Sequence, residues 1–493
     1  MRIGVIGAGI AGLAVAVRLA AKGHEVSIFE ANTYPGGKLS EFEIDGYRFD
    51  AGPSLFTMPH YVDELFRVAG EDPRQHFHYA RLPLVCRYQW EDGTTIRAWA
   101  EPKDFGAEAA QVLGVSPDLI PRFLQKSKNK YDGGGHIFLN RSLHRASTWL
   151  SAEAIKALAR MGGMDLMNTM NRVHERDLKH PKLIQLFNRF ATYNGSDPYQ
   201  APGTLTIIPH FEHGIGAFYP RGGMINITRS VEALARRLGV QIHYGARVEG
   251  IEIRDKGASG LRVQGMGAMP FDRIVSNMDV LHTFRRLAPQ APQPERALRQ
   301  PRSTSALIFY WGIRAEFEAL SLHNIFFSDD YPGEFAAMAA GGISDDPTVY
   351  INISSKCDPS DAPPGCENWF VMINAPANDG SQDWDALIAR VRANVIAKLR
   401  RMLGRDIAPL IACEAILDPR SIEQKTSSAQ GALYGSASNN RIAAFLRHPN
   451  FSSTVRNLYF CGGSVHPGGG IPLCLLSAQI TSDLIAQSSC IPA

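Results

Sequence analysis

RIGVIGAGIAGLAVAVRLAAKGHEVSIFE, residues 2–30, decides the fold. Ile3 to Ile6 is a short apolar run with the character of a buried strand. Gly7-Ala8-Gly9-Ile10-Ala11-Gly12 fits GxGxxG, Leu13 to Ala21 has the composition of a helix, and Glu25 to Glu30 is a second strand ending in an acid. Each part has a physical task in holding a dinucleotide. Gly7 permits the tight turn, Gly9 lets a pyrophosphate approach the backbone, and Gly12 lets helix and strand pack closely. The helix start offers free N–H groups and a positive dipole end to phosphate. Glu30, eighteen residues after Gly12, is placed to accept hydrogen bonds from a ribose 2′-hydroxyl, and its charge disfavours a 2′-phosphate. A secretory-leader reading fails because the apolar run is too short to span a bilayer and Arg18 interrupts it.

The composition narrows the function classes. Of 493 residues, 45% are hydrophobic and 20% charged, which is ordinary for a globular protein of several domains. The net charge is +3, with no run of like charges and no basic stripe, so nucleic acid is not an expected partner. Seven scattered cysteines show neither CxxC nor a Cys/His metal spacing. They fit reduced thiols in a cytoplasmic setting, with no metal site expected.

Two further blocks follow the first. ANTYPGGKLSEF supplies Gly36-Gly37-Lys38, and GYRFDAGPSLF supplies Asp50-Ala51-Gly52-Pro53-Ser54-Leu55, six and twenty residues past Glu30. Near the other end, YFCGGSVHPGGGIPLCLLSAQ (459–479) packs glycines and prolines ahead of an apolar helical run. Together these blocks resemble the flavin amine oxidase and carotenoid desaturase superfamily. That resemblance implies FAD as the cofactor, a Rossmann-like α/β domain, and a chain that returns at its C-terminus to complete the site. It puts Lys38 near the phosphates, Ser54 and Leu55 beside the flavin, Val248 at the adenine and Asn277 near the cofactor. Gly7, Gly9, Ala11, Gly12, Glu30 and Gly37 complete the N-terminal side, and Gly463, Gly470, Ile471 and Pro472 the C-terminal side. There the helix start aims its dipole at the flavin edge that turns anionic on reduction.

The implied architecture is discontinuous. Residues 1–82, 210–290 and 422–493 are expected to form the FAD-binding domain. Residues 83–117 and 291–421 are expected to form a mixed-sheet substrate domain, and 118–209 a helical cap with possible membrane contact. PLVCRYQWEDGTTIRAW (83–99) has the pattern of a hairpin turning at Asp92-Gly93. Residues 304–313 and 348–355 are further expected strands. Met161, Met164, Met167 and Met170 recur every third residue and would rotate around a helix, either filling the core or lining a channel for a long hydrocarbon. His136 and His144 are more simply packed or surface histidines than bases, and Cys461 a buried structural thiol.

The blocks YRFDAGPSLFTMPHYVDELF, LFNRFATYNGSDPYQAP, LIFYWGI, LHNIFFSDDY and LYGSASNN resemble bacterial carotenoid desaturases of the phytoene desaturase type. They are closest to the branch that introduces a 3,4 double bond into 1-hydroxylated linear carotenoids. The resemblance covers nearly the whole chain. It implies hydride transfer from an allylic CH₂–CH₂ unit to FAD, oxygen or a quinone as the terminal acceptor, and a cytoplasmic enzyme attached peripherally to a membrane. No catalytic acid or base is carried over, because the acid/arginine pair discussed for phytoene desaturases has no match around residues 142–160. A phytoene or neurosporene desaturase is the alternative within the class. An amine oxidase would need a polar amine cage that the sequence does not display. A prenyl-binding escort protein of the same fold is an alternative of another class, and the intact phosphate and C-terminal blocks argue against it.

Overall fold

The computed structural model describes residues 1–135, 139–149, 164–440 and 447–489. A five-stranded parallel sheet forms its base, in the order Gln241–His243, Glu25–Phe29, Arg2–Ile6, Arg273–Ser276 and Leu458–Phe460. Val5 lies between Ile28 and Val275, and Val275 is opposite Tyr459. Strands buried on both faces need continuous apolar runs, which is what Ile3–Ile6 and Ile274–Val275 supply. These strands come from three separated parts of the chain. The helix Ile10–Ala20 packs against Ile225–Arg237 and against the closing helix Ile471–Ser489. Val231 and Leu234 of the middle helix are fully buried, while Arg236 and Arg237 pair with Glu232 and Glu71 on its outer face.

A second, mixed sheet of seven strands stands above this base. Its order is Ile411–Leu417, Ser305–Ile313, Glu367–Ala375, Val349–Asn352, His323–Phe326, Leu84–Gln89 and Thr95–Trp99. All pairs are antiparallel except His323–Phe326 with Leu84–Gln89. The period of two sorts its faces. Leu307, Phe309 and Trp311 pack under the helix Trp384–Leu403 through Val391, Val395 and Leu399. Ile308 and Tyr310 point the other way, with Phe370, over the first part of the chain. The expected hairpin turns at Gly93, whose φ of +83° suits glycine.

The helical region departs from its sequence reading. Leu119–Lys130, Met170–Leu178 and Pro181–Asn188 are helices. Residues 164–169 are not, because Thr169 caps the helix starting at Met170, its hydroxyl accepting from the Arg172 N–H. Met164, Met167 and Met170 therefore share no helix axis: Met164 lines a cavity, Met167 is exposed and Met170 is in the core. Met161 and His136 lie outside the described residues.

Arg48, on the short hairpin Glu41–Ile44/Tyr47–Asp50, ties that hairpin to the connection carrying Asp361 between Val349–Asn352 and Glu367–Ala375 of the seven-stranded sheet. Its guanidinium donates to Glu41, Asp50 and Asp361 at 2.7–3.0 Å. Burial pushes the carboxyls of Asp50 and Asp361 up, and the Arg48 charge opposes that shift. Arg48→Met should lower stability by about 3–5 kcal/mol near neutral pH, since it strands buried carboxylates. A carboxyl whose folded pKa is raised binds its proton more readily in the native state, so the deficit should narrow as pH falls. Urea denaturation at several pH values checks both the size and the slope.

Candidate active site

The turn between Ile6 and Ile10 sets the floor of the site. Gly7 adopts φ +92° and its N–H donates to the Phe29 carbonyl at 2.8 Å, joining the turn to the neighbouring strand. Gly12 sits so close to this turn that a Cβ would stand 2.1 Å from the Gly7 carbonyl oxygen. The N–H of Gly12 donates to Asn277 Oδ1 at 3.1 Å, and Asn277 Nδ2 donates to the Cys461 carbonyl at 3.1 Å. One side-chain amide therefore joins the first strand-to-helix turn to the end of the last strand. A Cβ at Gly9 would meet the same amide oxygen at 2.6 Å, so this glycine makes room for Asn277 as well as bordering the cavity.

A cavity of about 1050 Å³ opens from this floor. All the candidate cofactor residues line it except Gly12, which lies behind the turn. Glu30 is buried, and its carboxylate accepts from the N–H groups of Ala8 at 2.7 Å and Asn32 at 2.8 Å. Lys38 Nζ donates to the carbonyls of Leu433 and Ala432 at 2.9 and 3.3 Å, and burial lowers its pKa. Ser54 Oγ lies 2.7 Å from the Tyr350 hydroxyl. Gly463, Gly470, Ile471 and Pro472 form the opposite lip, with Pro472 in the first turn of the closing helix. Val248 borders the cavity at the start of its strand.

Beyond these residues the cavity continues between the seven-stranded sheet and the helical region. Leu139, Leu143, Met164, Leu205, Ile208 and Phe211 give it an apolar stretch. Sequence reasoning did not find the buried polar groups on its wall. Arg189 donates to the Tyr88 and Tyr193 hydroxyls at 2.7 Å, and Tyr193 donates to Glu212 at 2.6 Å. Arg447, also buried, donates to the carbonyls of Tyr434, Ser436 and Gly463, and burial lowers its pKa to about 10. A buried arginine needs partners wherever it occurs, but no local pattern reveals which residues supply them. Cys461 is fully buried, and burial raises its thiol pKa well above the usual range, as suits an inert packed thiol. His144 stacks edge-on to His466, with ring centres 5.9 Å apart.

A parallel sheet, a glycine turn, an acid at the next strand's end and a returning C-terminal helix define a flavin-dependent oxidoreductase. The cradle fits FAD: Gly9 and Gly12 sit where a Cβ would clash, the starts of the helices Ile10–Ala20 and Ile471–Ser489 border the cavity, and the cavity runs on into an apolar stretch. The chain belongs to the flavin containing amine oxidoreductase family, whose pattern matches residues 10–486. It is 48% identical, over 98% of its length and 99% of the relative's, to a 1-hydroxycarotenoid 3,4-desaturase from Flavobacterium sp. (strain P99-3). A 4,4′-diapolycopene oxygenase from Methylomonas sp. is 33% identical over 98% of both chains. An oxidoreductase of Methanosarcina mazei has the same fold, with a TM-score of 0.65 at 14% identity over 98% of this chain and 100% of that one.

Asn277→Ala removes both hydrogen bonds that join the turn to the last strand. It should cost about 1–3 kcal/mol of stability and reduce the FAD retained on purification. Denaturation of the apoprotein and flavin content per chain measure the two effects. Unchanged values for both would show that the amide bridge is dispensable.

Proposed function

We propose that the chain is an FAD-dependent desaturase that introduces a C3–C4 double bond into 1-hydroxylated linear carotenoids. The observation that carries this reading is the continuity of the cavity from the glycine turn, past Ser54 and Leu55, into an apolar stretch. A hydrocarbon chain laid there passes the place where the flavin would sit. The 48% identity to a 1-hydroxycarotenoid 3,4-desaturase over almost the full length of both chains supports the substrate class.

In this reading Gly7, Gly9, Ala11 and the start of the helix Ile10–Ala20 hold the pyrophosphate, and Glu30 the ribose. Val248 holds the adenine, with Gly37 and Lys38 on the phosphate side. Ser54, Leu55, Gly463, Gly470, Ile471 and Pro472 surround the flavin, and Asn277 and Gly12 keep the cradle closed. FAD bound there would supply the acceptor for a hydride from C4, the allylic carbon beside the polyene, and a proton would leave C3. Positive charge developing on the substrate spreads over its conjugated polyene, so no carboxylate needs to face it. The wall's main task is alignment, which is worth up to about 7–11 kcal/mol in the best cases. Oxygen or a quinone then takes the electrons.

The experiment is incubation of the FAD-loaded protein with a 1-hydroxycarotenoid and, separately, with phytoene. Chromatography and absorption spectra should show a red-shifted 3,4-didehydro product from the first and little from the second. Efficient conversion of phytoene, with the hydroxylated carotenoid untouched, would replace this reading with that of a phytoene desaturase.

A substrate dissolved in lipid also calls for attachment to a membrane. Among the described residues, no helix is long and apolar enough to cross one. With a net charge of only +3, attachment at the cytoplasmic face should be mainly apolar and resist salt. Protein mixed with neutral liposomes should float in a density gradient at low and high salt alike. Protein that stays at the bottom in both contradicts peripheral attachment.

A further inference from the structure

The sheet side of the cavity carries a hydrogen-bonded chain that ends on an unused donor. Ser54 Oγ lies 2.7 Å from the Tyr350 hydroxyl, which lies 2.7 Å from His323 Nδ1. Asn352 Nδ2, which can only donate, faces the same Nδ1 at 3.2 Å. Nδ1 is therefore the lone-pair nitrogen, and a neutral ring carries its proton on Nε2. The Tyr350 hydroxyl then donates to Nδ1 and accepts from Ser54. Burial pushes the imidazole pKa down to about 3, with the Arg189 charge acting in the same direction, so the ring is neutral at any working pH. His323 is 3% exposed and lines the cavity, yet its Nε2 has no hydrogen-bond partner among the described residues. A buried donor left unmade is unfavourable unless a ligand accepts from it.

We infer that His323 Nε2–H donates to the oxygen of the substrate's 1-hydroxyl group, and that this contact selects hydroxylated over unhydroxylated carotenoids. The inference rests on the desaturase reading given above. In a 1-hydroxycarotenoid the hydroxyl oxygen is only three bonds from C3. Its partner must therefore lie close to the flavin. Tyr331 also lines the cavity, and its hydroxyl has no partner among the described residues. Only His323 is linked through Tyr350 to Ser54, in the segment assigned to the flavin's side. The Asn352 amide fixes which ring nitrogen carries the proton, and the Tyr350 hydroxyl, held by Ser54, anchors the ring through Nδ1, so Tyr350 is a positioning residue for this contact.

The test compares dissociation constants of the FAD-loaded protein for a linear carotenoid with and without the 1-hydroxyl, read by quenching of protein fluorescence. The parent should prefer the hydroxylated compound by about ten- to a hundredfold. His323→Leu should reduce that ratio to near unity, with bound FAD and its spectrum unchanged. His323→Gln, which keeps a donor near the Nε2 position, should restore much of the preference. Tyr350→Phe should weaken it, and Tyr331→Phe should leave it within about twofold. The parent's preference should be flat from about pH 5 to 9, because a neutral imidazole does not titrate there. A full preference surviving His323→Leu, or one abolished by Tyr331→Phe instead, overturns the assignment of His323 while leaving the desaturase reading in place. A parent that binds both compounds equally overturns the substrate reading and this inference together.

Discussion

The site depends on one side-chain amide. Asn277 accepts from the Gly12 N–H and donates to the Cys461 carbonyl, closing a cradle whose halves lie 265 and 184 residues away along the chain. Three glycines give way to it, because a Cβ at Gly9, Gly12 or Gly462 would approach the amide's oxygen or nitrogen to 2.6, 3.1 or 2.5 Å. Much of the glycine content at both ends therefore serves the junction between chain segments as well as the approach of a ligand. Since the first and last strands flank the one that ends at Asn277, the cradle can form only after the C-terminal segment has returned. A loop closed over so much chain makes this late contact entropically costly, and tight local geometry offsets part of that cost.

The second sheet turns this cradle into a catalytic chamber. Strict alternation along Ser305–Ile313 places Phe309 and Trp311 under a helix and leaves Ile308 and Tyr310 facing the cavity. The Tyr310 hydroxyl donates to the Ala51 carbonyl at 2.8 Å, and Arg48 reaches Asp361, so the roof is pinned to the flavin-side segment at two points. A rigid roof suits a reaction whose barrier is lowered mainly by alignment. It also holds the polar chain from Ser54 to His323 on the cavity wall.

The parts legible in the sequence are those whose constraint is local. The turn at Gly7 needs a positive φ, the strand at Ile3 needs apolar side chains on both faces, and the closing helix needs a start that tolerates Pro472. Each leaves its mark within a few residues. From its local sequence Asn277 was legible as a strand end, and the resemblance set it near the cofactor; its bridging role was not legible, because its two partners are remote. The chain through Ser54, Tyr350, His323 and Asn352 joins three separate parts of the sequence, and no spacing announces it. The methionine repeat was read on one helix, whereas among the described residues the Thr169 cap starts the helix only at Met170. Arg189 and Glu212 gave no signal either: Tyr193 lies only four residues from Arg189, but Tyr88 and Glu212 reach this cluster from other elements.

In the proposed reaction this chamber removes a hydride from the substrate directly, without oxygen entering the product. The relatives include both a desaturase and an oxygenase, so the two chemistries must be told apart in this chain. Rapid mixing of the FAD-loaded protein with one equivalent of a 1-hydroxycarotenoid under strict exclusion of oxygen separates them. The account predicts that the visible absorbance of oxidised flavin is lost in step with formation of one equivalent of the 3,4-didehydro product. Flavin that stays oxidised, with product formed only after oxygen is admitted and carrying an added oxygen atom, would contradict it.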